Sequence, residues 1–322
     1  MTTNSISPAR PTRGSCRYWM RLAAAAAGAL LLGGLCLLAG LIYIQLEAFL
    51  VPHQVTDVGT PEELNRPYRN VVLTTSDGLN IAGWYIPGTR PQAIILVHGI
   101  HANRRTMLPE AKILAEADYH LLMIDLRGHG QSDGHQNSYG YREALDVQAA
   151  VDYLDALPEI DKIGVLGTSL GGATVVRAAA IDERIAAVVI ESSYSSLPAA
   201  IDDGFDNLSF FPKWPFAPLF VSLAERRLGV KAAQIDSARD LASFKPRPVL
   251  IIHGLADQLF PPDHAERMFD SAQEPKELWL IDGLGHANPV PGHETEYQER
   301  VVGFFENHLK SAGRAEDKKH QK

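Results

Sequence analysis

The chain has 322 residues, 46% of them apolar, which is enough for one large domain or two small ones around a sizeable core. Its formal net charge is −8, but Arg10, Arg13, Arg17 and Arg21 are the only charged residues before Glu47, so the remainder carries about −12. An acidic globular part argues against nucleic acid as a partner, because phosphate contacts need clustered lysine and arginine. The two cysteines, Cys16 and Cys36, precede that part and leave no disulfide framework and no cysteine-based metal site.

Residues 1–21 carry the four arginines. Residues 22–46, LAAAAAGALLLGGLCLLAGLIYIQL, hold no charge and are long enough to cross a bilayer as a helix. A cleaved signal peptide is the rival to a retained anchor. The run exceeds a usual signal core, and no A-x-A site closes it, so a signal anchor is the expectation. The arginines flank its N-terminal end and keep that end cytoplasmic by the positive-inside rule, which puts the bulk of the chain on the other side, periplasmic, extracellular or luminal. Ala29 and Gly33 form a small-xxx-small pair, a weak signal for helix pairing.

Residues 47–67 read as a linker, and 68–310 as the main domain. NVVLTT and NIAGWYIPG flank Ser76-Asp77-Gly78, a hairpin signal. AIILVHG (93–99), YHLLMID (119–125), KIGVLG (162–167), IAAVVIES (185–192), PVLIIHG (248–254) and KELWLID (276–282) are short continuous apolar runs of the kind found in strands buried on both faces. Helical periods separate them: Val147, Val151 and Leu154 share a face, as do Tyr297, Val301, Phe304 and Phe305. The alternation predicts an α/β fold with a mostly parallel central sheet, helices on both faces and an antiparallel edge.

Residues 193–247 break the alternation and read as an insertion over the carboxyl ends of the strands. Phe205, Phe210, Phe211, Trp214, Phe216 and Phe220 crowd into it. They fit a satellite core or a cap lining an apolar substrate pocket, with contact to a membrane surface a weaker third reading. Asn207-Leu208-Ser209 is a glycosylation sequon, meaningful only in a eukaryotic chain. Residues 311–322 read as a charged, disordered tail.

In open α/β sheets ligands bind at the carboxyl ends of the strands. Three chemically able residues fall at such ends: Ser169 after KIGVLG, Asp257 after PVLIIHG, and His286 after KELWLID. Gly167 and Gly171, two before and two after Ser169, suit a sharp strand-to-helix turn that exposes the hydroxyl. Asp282 is a rival to Asp257 but lies close to His286 in sequence, and Glu191 is a remoter one. His264 and His293 read as surface residues. His129, in DLRGHGQSDG, reads as structural, and His98, His101 and His129 have no matched ligand spacing for a metal.

Gly167-Thr168-Ser169-Leu170-Gly171 matches G-x-S-x-G, and the chain order Ser, Asp, His resembles that of the α/β-hydrolase superfamily over residues 68–309. LVHGIHANR, DLRGHGQSDG, HGLADQLFPP and GLGHAN look like its other landmarks, and the chain is similar to lysophospholipase-like and serine-aminopeptidase-like members, anchored ones included. It departs from lipases with an HGGG motif by reading HGIHAN. The resemblance implies a nucleophile Ser169, a base His286, an orienting Asp257, and an oxyanion hole from the backbone N–H groups of Leu170 and Ile100, with no cofactor and no metal. It implies a membrane-anchored serine hydrolase of carboxylic esters, lipid or acyl esters among them. Peptidase or amidase chemistry uses the same three groups, and a catalytically inactive scaffold is the non-enzyme alternative. Oligomeric state is not legible.

Overall fold

The computed structural model describes residues 13–310 apart from 208 and 210; the expected disordered tail, the first arginine and the middle of the sequon lie outside the described residues. The chain divides into two units, residues 1–49 and 50–322. Among the described residues, the first holds one helix, α1 (Arg13–Leu50), of 38 residues. At 1.5 Å per residue it is roughly 57 Å long, and its Arg17–Leu50 stretch is long and apolar enough to cross a membrane. The helix outruns the expected 22–46 span at both ends because nothing in RGSCRYW or EAFL breaks it.

The second unit is built on an eight-stranded sheet. In chain order its elements are β1 (Arg69–Thr74), β2 (Asn80–Ile86), β3 (Gln92–Val97), α2 (Leu108–Glu116), β4 (His120–Ile124), α3 (Ala144–Asp155), β5 (Lys162–Thr168), α4 (Leu170–Ile181), β6 (Ile185–Glu191), α5 (Leu197–Asn207), α6 (Lys213–Leu228), α7 (Ser237–Ser243), β7 (Val249–Gly254), α8 (Asp263–Ser271), β8 (Lys276–Ile281), α9 (Glu294–Tyr297) and α10 (Gly303–His308). The strand order is β1-β2-β4-β3-β5-β6-β7-β8. β1 and β2 pair antiparallel around the expected hairpin, β2 meets β4 antiparallel, and all later pairings are parallel. The mostly parallel sheet with an antiparallel edge is what the strand pattern predicts, and the arrangement is the α/β-hydrolase fold that the resemblance implies.

Periodicity explains the layers. Every side chain of β4 and β7 is buried, as a strand covered on both faces requires. Val147, Val151 and Leu154 of α3, and Tyr297, Val301, Phe304 and Phe305 at the C-terminal end, all turn inward. One large apolar cluster runs from Trp84 and Ile94 through Leu166 and Val189 to Trp279 and Phe305.

The segment expected as a linker is held against the domain. The Leu50 carbonyl accepts from the Asn137 N–H at 3.0 Å, the Val55 carbonyl from Asn103 at 3.2 Å, and the Thr60 carbonyl from Arg105 at 3.1 Å. Val58 and Leu64 are buried. Composition alone showed only a polar, proline-containing stretch; its anchoring points lie 40 to 90 residues away in sequence.

The insertion has two parts. α5 and α6 pack on each other, whereas α7 packs on α4 and α8 and rejoins the main layers. Arg177 of α4 and Asp240 of α7 mark that return with an ion pair at 3.1 Å.

Candidate active site

β5 leads straight into α4, and Ser169 is the single residue between them. Its φ of 55° and ψ of −114° lie in a region that a non-glycine residue occupies only when its surroundings impose it. The neighbouring glycines show what imposes it. A Cβ at Gly167 would lie 2.3 Å from the Gly171 carbonyl oxygen, one at Gly171 2.2 Å from the Val97 carbonyl oxygen, and one at Gly172 2.6 Å from the Ser193 Cβ. The turn is thus wedged between its own helix, the end of β3 and the end of β6. Two hydrogen bonds pin it to that last strand: the Ser169 N–H donates to the Glu191 carbonyl at 2.8 Å, and Ser193 Oγ donates to the Ser169 carbonyl at 2.7 Å.

Asp257 and His286 arrive from neighbouring strands, β7 and β8. Leu255 and Ala256 N–H groups donate to the Ile281 and Leu284 carbonyls, both at 2.9 Å, which zips the loop after β7 to the loop after β8. Gly254 makes that approach feasible, since a Cβ there would lie 2.2 Å from the Leu284 carbonyl oxygen. Asp257 Oδ1 accepts from the Leu259 and Phe260 N–H groups, each at 2.9 Å, and this fixes the carboxylate plane. Oδ2 accepts from His286 Nδ1 at 2.7 Å, and His286 Nε2 faces Ser169 Oγ at 3.1 Å. The Phe260 ring stands edge-on to the imidazole at 5.2 Å.

Electrostatics match this line. Asp257 is buried, and burial by itself would raise its pKa, but the His286 hydrogen bond and the Phe260 N–H outweigh it and hold the carboxyl below the usual range. An ionised Asp257 keeps the proton on Nδ1 and leaves Nε2 free to accept from the serine. Ser169 is 6% exposed, and a quarter of the His286 side chain reaches solvent.

The other sequence candidates separate cleanly. Leu170 opens α4, so its N–H has no intrahelical acceptor. Gly99, just before Ile100, packs against Ser169: a Cβ there would lie 3.3 Å from Ser169 Cβ. Asp282 is exposed and Glu191 turns away to Thr168 and Tyr297. His98 donates from Nδ1 to the Gly99 carbonyl at 2.6 Å and accepts the Leu126 N–H at 3.0 Å, which ties the loop of Ile100 to the end of β4. Burial lowers its pKa to about 4, so it stays neutral. His129 is fully buried edge-on to His98 at 5.1 Å, whereas His101 stacks against His53 instead.

His264 is a correction. It is not a surface residue but fully buried: Nδ1 accepts from the Ser195 N–H and hydroxyl at 3.0 and 2.9 Å, and Nε2 donates to Asp203 Oδ2 at 2.8 Å. Its signal was the i, i+4 pairing with buried Met268 on α8. His293 is half-buried. Ser193 and Phe260 were missed altogether, since neither position has a motif of its own.

The aromatics of α5 and α6 pair among themselves. Phe205 meets Phe220 at 6.1 Å and Phe211 meets Phe216 at 4.9 Å, while Trp214 stays 78% exposed. A cavity of ≈ 580 Å³, lined mainly by apolar groups of Pro198, Ile201, Trp214, Ala217, Pro218 and Val221, opens between the two helices.

Comparison with known proteins agrees with this architecture. Residues 94–303 match the alpha/beta hydrolase family. The chain is 28% identical over 292 residues to the uncharacterized protein YfhR of Salmonella typhi, covering 83% of this chain and 89% of that one. It is 31% identical over 226 residues to the uncharacterized protein Rv2307c of Mycobacterium tuberculosis, covering 69% and 73%. Among solved structures, the Pyrococcus furiosus esterase Pf2001 superposes with a TM-score of 0.68 at 27% identity, covering 81% of this chain and all of that one. With that family matched over well over half of its length, including the turn at Ser169, the chain belongs to the alpha/beta hydrolase family.

Proposed function

We propose that this protein is a membrane-anchored serine hydrolase that cleaves carboxylic esters, lipid and other acyl esters among them. The observation that carries the reading is the hydrogen-bonded line from Ser169 through His286 to Asp257, aimed by a strained turn. A serine hydroxyl is a weak nucleophile until a base takes its proton. In this reading His286 Nε2 takes it as Oγ attacks the ester carbonyl. The ionised Asp257 stabilises the resulting imidazolium, and the Leu170 and Ile100 N–H groups receive the developing oxyanion. The imidazolium then protonates the departing alcohol. Water, deprotonated by the same histidine, releases the acid from the acyl-serine. The esterase resemblance supports ester over amide substrates.

Residues 22–46 form the anchor in this reading, with the arginine-bearing end cytoplasmic and the hydrolase unit beyond the membrane. One experiment tests both halves. Membranes and soluble fraction from cells making the full chain are labelled with a fluorophosphonate and assayed with p-nitrophenyl esters and p-nitroanilides. Label and esterase activity are expected in the membrane pellet, and Ser169→Ala should abolish the label and lower kcat by about 10⁴-fold or more. Labelling that persists in Ser169→Ala overturns the nucleophile. Faster anilide cleavage turns the reading to an amidase. Active protein in the soluble fraction that begins beyond Leu46 overturns the anchor.

A further inference from the structure

Beneath the serine lies a polar group that the proposed chemistry leaves unused. Glu191, the last residue of β6, is wholly buried, and both of its carboxylate oxygens are occupied. Oε2 accepts from Thr168 Oγ1 at 2.7 Å, and Oε1 accepts from the Tyr297 hydroxyl at 2.5 Å. Thr168 immediately precedes the nucleophile. Tyr297 closes α9, the first helix after the loop that carries His286. The serine and histidine are 117 residues apart and come from opposite sides of β6 and β7 in the sheet order. One carboxylate therefore bonds to the segment behind each of them.

We infer that Glu191 is a positioning residue: through Thr168 and Tyr297 it holds the nucleophile turn and the histidine-bearing C-terminal segment in register, so that Nε2 of His286 meets Oγ of Ser169. The site is otherwise a poor place for a carboxylate. Burial pushes Glu191 up to about 7, and burial together with the charge of Glu191 pushes Glu110 well above the usual range. One oxygen of Glu110 is buried without a hydrogen-bond partner among the described residues. Apolar side chains of similar volume fill such a space without that desolvation. A planar group with a hydrogen-bonding atom on each side does what they cannot, since it holds two hydroxyls at once. The geometry matters here because Ser169 holds a backbone conformation that its neighbours must enforce, and a misplacement of about 1 Å between reacting groups lowers rates by about 100-fold.

The inference rests on Ser169 being the nucleophile, and its test is arranged to tell the two apart. The second-order rate of fluorophosphonate labelling, kcat and KM on a p-nitrophenyl ester, and Tm are measured for the full-length wild type, Thr168→Val, Tyr297→Phe, the double variant and Glu191→Gln. The two single variants are each expected to lower labelling rate and kcat by about tenfold with KM nearly unchanged. The double variant should be no slower than the slower single one, because both act through one carboxylate. Glu191→Gln keeps the volume and can still bond both hydroxyls, so it should label within about threefold of wild type. Cooperatively folded single variants with wild-type labelling rates overturn the inference, as do additive losses, losses in KM alone, or a slow Glu191→Gln. Wild-type protein that takes no label overturns the serine reading and this one with it; a labelled wild type with unaffected variants overturns this one alone.

Discussion

The nucleophile turn and the α5–α6 insertion use glycine in opposite ways. At the turn, an added Cβ at Gly167, Gly171 or Gly172 would fall within 2.6 Å of another atom, mostly backbone. In α5, a Cβ at Gly204 would meet nothing within 4 Å. The first region has its backbone in contact with three strands and one solution to its packing. The second consists of two helices that pack on each other, with Asp203 bonded to His264 of the body, a solvent-exposed Trp214 and an open cavity. On the proposed function, the chemistry would sit where the backbone is most tightly packed, and the insertion is the region where packing constrains side chains least.

Three substitutions sharpen this contrast. The largest effect is expected from Gly171→Ala. Its methyl group would sit 2.2 Å from the Val97 carbonyl oxygen, and relieving that overlap shifts helix against strand. Destabilisation of about 3 kcal/mol by denaturant unfolding is expected, together with loss of fluorophosphonate labelling. A stable, labelled Gly171→Ala protein would show the turn to be more yielding than its contacts indicate.

Asp203→Ala comes next. Asp203 of α5 accepts from His264 of α8, whose ring also faces Ser195, His253 and Arg267. Removing the carboxylate leaves a buried N–H without its acceptor, at about 1–3 kcal/mol. Loss of stability with kcat preserved on a short ester, but KM raised on a long one, is the expected outcome. The burial of His264 also sets a pH dependence. Burial lowers the His264 pKa, and Asp203 only partly offsets it. Because the folded pKa lies below the unfolded 6.5, the neutral ring contributes stability above pH 6.5 that is lost as pH falls below it. A Tm profile between pH 8 and 5 should show that decline.

The smallest effect has the opposite sign. Gly204→Ala adds a methyl group in open space within a helix and should stabilise the protein by about 0.5–1 kcal/mol, with labelling unchanged. A destabilised Gly204→Ala would place α5 among the tightly packed elements and remove the contrast.

The two regions also differed in how far sequence could read them. The spacing Gly167-x-Ser169-x-Gly171 between an apolar run and a helical one announced the turn, and Asp257 and His286 stood out because each follows a strand-like run. Those signals are local, and local signals survive in a string of letters. His264 was misread because its burial depends on Ser195 and Asp203, each more than sixty residues away in sequence. For the same reason, the bonds that hold the 47–67 linker segment to the domain through Leu50, Val55 and Thr60 were not legible in it. Glu191 was weighed as an alternative acid; its actual partners, Thr168 and Tyr297, come from opposite directions in the chain.

By itself, the sequence determined the order and type of the strands, the apolar N-terminal helix and the identity of the three residues at strand ends. Hydrophobic periodicity and backbone sterics act over a few residues, and they are written directly in side-chain size and polarity. Only the tertiary structure decided which carboxylate faces which hydroxyl or imidazole, which glycines are wedged and which are free, and where the aromatics of the insertion point. Those outcomes follow from close packing between segments far apart in the chain, where a difference of an ångström separates a hydrogen bond from none.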